Sequence, residues 1–150
     1  MTTLKNEIII NAPLDKIWEE LSVLDRLALY DPATKESKVL TQNNKGKGAK
    51  RRVEMKDDKN WFEETCTVYE KNTDLKYELN ACSFPVHNLF HSYKFEKIGE
   101  NTYKVIQTQS YKMKYGFLGS LMGIAIKAKW NNGIRAFLQG LKTISEKNEI

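Results

Sequence analysis

The chain is poor in the features that mark most specialised classes of protein. It has two cysteines, Cys66 and Cys82, with neither metal-ligand spacing nor a partnering histidine pattern, so no metal site is indicated. Strand alternation puts the two on opposite faces, which excludes a disulfide between them in that register. No basic start leads into an early apolar run, and no Asn-X-Ser/Thr acceptor occurs. The most apolar run, Phe117 to Ile126, is far shorter than the roughly 20 residues that span a bilayer. These absences predict a reduced, cytoplasmic protein. The stretch "GKGAK" lacks the spacing and the following helix of a phosphate loop or dinucleotide fingerprint, so no cofactor is expected. The net charge of +5 is mild and its lysines are interspersed with acids along most of the chain. With no recognised motif beside it, that charge does not point to nucleic acid.

What is present is patterned. A length of 150 residues suits one domain, 1–150, large enough to bury a substantial core. Ile8 and Ile10 share one face of a strand. Asn11-Ala12-Pro13 interrupts it, with Pro13 suited to a first helical turn and Asn11 and Asp15 to a helix entrance. Leu14, Ile17, Trp18 and Leu21 then follow i, i+3, i+4, i+7 spacing. A second short helix is predicted from about Asp25 to Tyr30, closed by Asp31-Pro32. Strands are predicted at 37–42, 49–55, 61–70, 75–82, 89–97 and 103–115, joined by short polar turns. Leu118 to Lys147 reads as one long helix with a broad apolar stripe, weakened by Gly119, Gly123, Gly133 and Gly140. Such short connections allow only an antiparallel sheet, with the last helix as cover for one face. The fold class is therefore α+β.

Alternation along the strands sorts side chains into two faces. Charged residues mark the outer face. The inner face then holds Ala49, Arg51, Val53 and Met55; Phe62, Glu64, Cys66 and Val68; and Leu75, Tyr77, Leu79 and Ala81. It continues with Leu89, His91, Tyr93 and Phe95, then Val105, Gln107, Gln109, Tyr111 and Met113. Hairpin loops of three or four residues pair Arg51 with Glu64, Val53 with Phe62, Cys66 with Leu79, His91 with Gln109 and Tyr93 with Gln107. That face carries many polar groups, and burying them without partners costs several kcal/mol, on the order of 1–3 kcal/mol each. Two arrangements accommodate them. One is a solid core whose polar groups satisfy each other. The other is a ligand cavity with apolar walls and a few orienting polar groups.

In the second arrangement the strands contribute Phe62, Cys66, Tyr77, Leu79, His91, Tyr93, Gln107, Gln109, Tyr111 and Met113. Met122 and Ile126 face them from the helix. Arg51 and Glu64 are a charged pair on the same face: a buried or rim ion pair, an anchor for a ligand carboxylate, or a proton-transfer carboxylate. His91, near Tyr93 and Gln109, has the groups for acid–base work but equally for a satisfied core position. The run "FLGSLMGIAI" suits a lid over the cavity, and its apolar content also allows transient docking to a membrane surface.

The order of motifs resembles the START-like superfamily, also called SRPBCC, and within it the polyketide cyclase/dehydrase and lipid-transport group. The opening "IIINAPLDKIWEELSVLDRLALYDP" is similar to that group's strand, Ala-Pro corner, Trp-bearing helix and short second helix. "GKGAKRRVEM" is similar to its Gly-X-Gly-Ala strand entry, and "FEETCTVYEKNTDLKYEL" to its central hairpin. The resemblance implies a helix-grip fold, in which a curved antiparallel sheet wraps around a long C-terminal helix and two short helices follow the first strand. It implies binding or transport of a small hydrophobic molecule of lipid, quinone, polyketide or sterol-like class. A cyclase/dehydrase-like enzyme and a co-chaperone-like protein-interaction module are the alternatives, because the superfamily hosts all three. No nucleophile–base–orienter set can be assembled from the sequence, which favours the binding module. The sequence leaves the oligomeric state open.

Overall fold

The computed structural model describes residues 1–147, apart from the side chains of Phe117, Leu118 and Ser120. Seven antiparallel strands form one sheet in the order β1-β7-β6-β5-β4-β3-β2. The strands are β1 (Thr2–Ile10), β2 (Thr34–Val39), β3 (Lys50–Met55), β4 (Trp61–Glu70), β5 (Asp74–Cys82), β6 (Val86–Gly99) and β7 (Thr102–Met113). Among the described residues three helices accompany them: α1 (Leu14–Ser22), α2 (Leu27–Tyr30) and α3 (Gly116–Ser145), with a 3-10 turn at Leu24–Arg26 before α2.

The early strand-to-helix corner has a topological reason. β1 pairs with the last strand, β7, whereas β2 lies at the opposite edge of the sheet. The segment Asn11–Ala33 carries the chain from one edge to the other. Ala12 is buried at the corner, and the Pro13 carbonyl accepts the first helical N–H groups, from Lys16 and Ile17. Asn11 does not cap the helix as the sequence suggested. Its Oδ1 accepts a hydrogen bond from Thr102 Oγ1 at 3.1 Å, which ties the corner to β7. Ile17, Trp18 and Leu21 are buried, and Trp18 meets Tyr69 and Phe95 edge-on with ring centroids 5.2 and 5.9 Å apart. Asp15 accepts from Asn72 Nδ2 in the β4–β5 turn.

Register agrees with the expected hairpins at β3–β4 and β6–β7, where Arg51 faces Glu64, Val53 faces Phe62, His91 faces Gln109 and Tyr93 faces Gln107. The β4–β5 hairpin differs. Glu70 faces Asp74 across a tighter turn, and Cys66 faces Tyr77 rather than Leu79. Thr67 is an extra residue in β4 and Asn80 an extra residue in β5. Each such bulge reverses the alternation beyond it. Val68 therefore faces outward and Tyr69 inward, and Ala81 is exposed while Cys82 turns in beside Phe62. Cys66 and Cys82 thus share the inner face, and both are free thiols. Burial pushes the Cys66 thiol up to about 11.

The left-handed residues Tyr115 (φ 69°) and Gly116 (φ 54°) turn the chain from β7 into α3. Gly119, Ile134, Leu138, Leu141 and Ser145 are the buried positions of that helix among the described side chains. Gly140 is not simply a weak point. A Cβ there would lie 2.0 Å from the Tyr30 carbonyl oxygen, so glycine lets α3 touch the end of α2.

Candidate functional site

Between the inner face of the sheet and the middle of α3 lies a cavity of about 370 Å³. Leu27, Phe62, Leu79, Phe84, Leu89, Trp130, Ile134 and Phe137 give it apolar walls. Arg51, Glu64, His91, Tyr93, Gln107 and Gln109 supply the polar groups. Asp31, Lys56, Asp57, Asn60 and Lys129 also border it. Gly133 faces it from α3 with nothing within 4 Å of where a Cβ would be.

Four of the polar groups form one chain of hydrogen bonds. Arg51 donates from Nε to Glu64 Oε2 at 2.8 Å and from Nη1 to the Leu24 carbonyl at 3.1 Å. Glu64 Oε1 lies 2.8 Å from His91 Nε2, and His91 Nδ1 lies 3.0 Å from Tyr93 Oη. The Tyr77 ring supports the chain from below, 4.7 Å under the guanidinium and stacked on the imidazole at 5.2 Å. Burial alone would raise the Glu64 carboxyl. The Arg51 guanidinium, and after it His91, outweigh that and hold it at about 2.

An ionised Glu64 accepts but cannot donate, so His91 Nε2 carries a proton toward it. In the neutral imidazole Nδ1 then accepts the Tyr93 O–H, and the Tyr93 oxygen keeps lone pairs free to accept from elsewhere. Burial holds the Tyr93 and Tyr77 phenols well above the usual tyrosine range, so both stay protonated.

The glutamines on β7 are arranged differently. Gln107 Nε2 makes only a long contact to Gln109 Oε1, at 3.4 Å. Gln107 Oε1 is buried with no hydrogen-bond partner among the described residues. Around the cavity stand three carboxylates, Asp31, Asp57 and Glu64, and three cations, Arg51, Lys56 and Lys129, besides His91. Burial raises the Asp31 carboxyl, against the opposing bonds from Thr34 and the Ala33 N–H.

Of the residues placed at a cavity from the sequence, Phe62, Leu79, His91, Tyr93, Gln107 and Gln109 border this one, as do Arg51 and Glu64. Cys66, Tyr77, Tyr111, Met113, Met122 and Ile126 do not. Tyr77 is closed over by α1, where its hydroxyl donates to the Leu21 carbonyl at 2.8 Å, and Cys66 lies opposite it in the same covered layer. At the other end Tyr111 packs on Trp130, and Met113 lies against Gly123. Met122 is exposed and Ile126 only half-buried, because α3 meets the cavity one to three turns later, from Lys129 to Phe137. The expected lid segment, residues 117–126, falls partly on side chains outside the description; its Leu121, Met122 and Ile124 are exposed.

The residues missed from the sequence are Leu27, Phe84, Leu89, Trp130, Gly133, Ile134 and Phe137, among others. Leu89, Ile134 and Phe137 carried a signal, as inward-facing or stripe positions. Phe84 lies in a loop with no periodicity to place it. It meets Phe62 and Trp130 with ring centroids 6.5 and 5.2 Å apart.

The family model for polyketide cyclase/dehydrase and lipid transport matches residues 1–146. No curated protein matches the chain in sequence. Among solved structures, it is similar to the Zhui aromatase/cyclase from Streptomyces sp. R1128, with a TM-score of 0.81 at 14% identity over 97% of this chain and 93% of that one. A protein from Thermus thermophilus, TTHA0849, is similar with a TM-score of 0.80 at 16% identity, over 96% and 97%. A START superfamily protein from Mycobacterium smegmatis is similar with a TM-score of 0.79 at 11% identity, over 96% and 97%. At such identities the likeness is one of fold: a START-like sheet gripping a long C-terminal helix.

Proposed function

Because the chain belongs to the polyketide cyclase/dehydrase and lipid-transport family, we propose that it binds a small, neutral, mainly apolar molecule in the cavity under α3, with a hydrogen-bond donor at its inner end. The observation that carries this reading is the unpartnered Gln107 Oε1 in an apolar-walled space. A buried acceptor without a partner costs about 1–3 kcal/mol, and a ligand hydroxyl removes that cost. The Tyr93 oxygen is a second acceptor close by. Arg51 is already engaged by Glu64 and Leu24, and the Asp31, Asp57 and Glu64 carboxylates border the cavity, which disfavours a ligand carboxylate. Phenols, quinols, hydroxylated polyketides and sterols have the required form; free fatty acids do not. Apolar walls supply most of the affinity, at about 25 cal/mol per Å² buried.

The test is displacement of an apolar fluorescent probe by a matched series of ligands. Hydroxylated aromatics and sterols should compete well and fatty acids of similar size poorly. Leu79→Trp should abolish probe binding in a folded protein. Equal competition by the fatty acids, or no probe binding at all, refutes the reading. Native mass spectrometry of freshly purified protein gives an independent look at any bound molecule.

The Glu64–His91–Tyr93 chain favours a second reading, a cyclase/dehydrase-like enzyme. There the Tyr93 hydroxyl would pass a proton to or from a bound substrate, with His91 behind it and Glu64 orienting the ring. Tyr93→Phe separates the two readings. It should remove turnover in an enzyme while leaving a carrier's probe affinity within about tenfold, since one neutral hydrogen bond is worth about 0.5–1.5 kcal/mol.

A further inference from the structure

The first half of α3 is apolar where it meets water. Gly119 and Gly123 mark its inward side: a Cβ on Gly119 would lie 1.8 Å from the Lys114 carbonyl oxygen, and one on Gly123 3.2 Å from Met113 Cγ. Helical geometry puts Leu121, Ile124, Ala125 and Ala128 on the other side, at i, i+3, i+4 and i+7. All four are exposed, Ile124 to 73% and Leu121 to 54%. Tyr115 and Met122 are exposed beside them. A surface helix of a soluble domain ordinarily turns polar residues to solvent; this one turns its aliphatic residues there.

Charge identifies what covers the stripe. No Asp or Glu occurs between Glu100 and Glu146. Lys127 and Lys129 flank the stripe on α3, and Lys112 and Lys114 are exposed at the end of β7 just before it. Asp57, across the cavity from Lys129, is a neighbouring carboxylate. A second copy docking through the same stripe would bring these lysines against each other. A nucleic acid would take the lysines and leave the aliphatic side chains in water. An anionic lipid surface meets both needs. We propose that the stripe from Tyr115 to Ala128 lies on anionic membrane, with aliphatic side chains at the headgroup–acyl boundary and lysines on the headgroup phosphates. Lys129 and Trp130 follow it directly and border the cavity, so docking brings the cavity to the lipid. This inference does not depend on what the cavity holds.

Co-sedimentation with vesicles tests it. One set is phosphatidylcholine alone; the other contains about one-third phosphatidylserine. The whole protein should pellet with the anionic vesicles at least about tenfold more strongly, and the difference should shrink as salt rises. Leu121→Asp with Ile124→Asp should remove binding at an unchanged melting temperature, since both positions are exposed. Lys114→Gln and Lys127→Gln should each weaken it about fivefold, on anionic vesicles only. Equal pelleting with both vesicle types, undiminished pelleting of the double aspartate variant, or a wild-type dimer that the variant dissolves would each overturn it.

Discussion

Two sets of polar groups face the same cavity and differ in how completely they are paired. Arg51, Glu64, His91 and Tyr93 spend their hydrogen bonds on one another and on the Leu24 carbonyl. Gln107 and Gln109 have one long contact between them and an acceptor left over. Both sets sit on the inner face of the same sheet, so strand geometry does not cause the difference. Apart from the free lone pairs of the Tyr93 oxygen, the first set is complete without a ligand, and its energetic consequences belong mainly to folding. The second is incomplete, and its consequences belong to binding. Perturbing each set in turn should give opposite results for stability.

Breaking the paired set should have the largest effect. Glu64→Gln strands the buried Arg51 charge, and loss of one partner from a buried pair costs about 3–5 kcal/mol. Urea unfolding measures it, and a loss under about 1 kcal/mol would mean that the pair is exposed in solution. Replacing both partners, as Arg51→Met with Glu64→Leu, should restore most of the stability, because no charge is then left unpaired.

Acid sharpens the same side of the comparison without a substitution. The Glu64 carboxyl is held at about 2 against a usual 4.5. A depressed carboxylate stabilises the fold above its unfolded value and loses that contribution as pH falls toward the folded one. A shift of this size corresponds to about 3 kcal/mol, present above about pH 4.5 and lost toward pH 2. Unfolding midpoints across that window should fall more steeply for the wild type than for Glu64→Gln. Parallel slopes would mean that another carboxylate governs acid unfolding.

Much of this arrangement was legible in the sequence. Outward charges at Lys50, Arg52 and Glu54, at Lys76 and Glu78, and at Lys94 and Glu96 fixed the faces of three strands, and turn lengths then paired Arg51 with Glu64 and His91 with Gln109. Parity failed where a bulge inserted a residue. Nothing in the composition of Thr67 or Asn80 announces one, yet each reverses every side chain beyond it. The α3 stripe defined which side of the helix faces inward but not which turn lies over the cavity, because periodicity carries phase and no axial position. Met122 and Ile126 were therefore placed too early, and Trp130, Ile134 and Phe137 were not assigned to the cavity. Hydrogen-bond completeness was beyond the sequence altogether. The inward glutamines and the inward Arg–Glu pair looked equally polar, and only distances separate them.

On the unpaired side, Gln107→Leu removes a buried acceptor that has no partner. The unliganded protein should gain about 1 kcal/mol, the low end of the cost of such a group. For a domain of this size that is about 2–4 °C in melting temperature. The variant should also lose its preference for hydroxylated ligands over apolar ones of the same shape. Destabilisation instead would show that the amide already has a partner in solution.

The smallest predicted effect lies at Gly133, where helix and cavity make opposite demands. Glycine inside a helix costs up to about 1 kcal/mol relative to alanine, mostly in backbone entropy. At Gly140 that cost has a packing reason, since the Tyr30 carbonyl leaves no room for a Cβ. At Gly133, which borders the cavity, nothing lies within 4 Å of the added atom. The fold therefore gains nothing from glycine there, whereas the cavity gains volume. Gly133→Ala should raise stability by about 0.5–1 kcal/mol without a ligand and weaken binding of the bulkiest ligands, with small probes unaffected. Calorimetry of the free and ligand-loaded protein reads both numbers from one sample. If alanine stabilises the protein and leaves affinity unchanged across ligand sizes, the space beside Gly133 is not part of the binding volume, and the ligand sits closer to β6 and β7 than to α3.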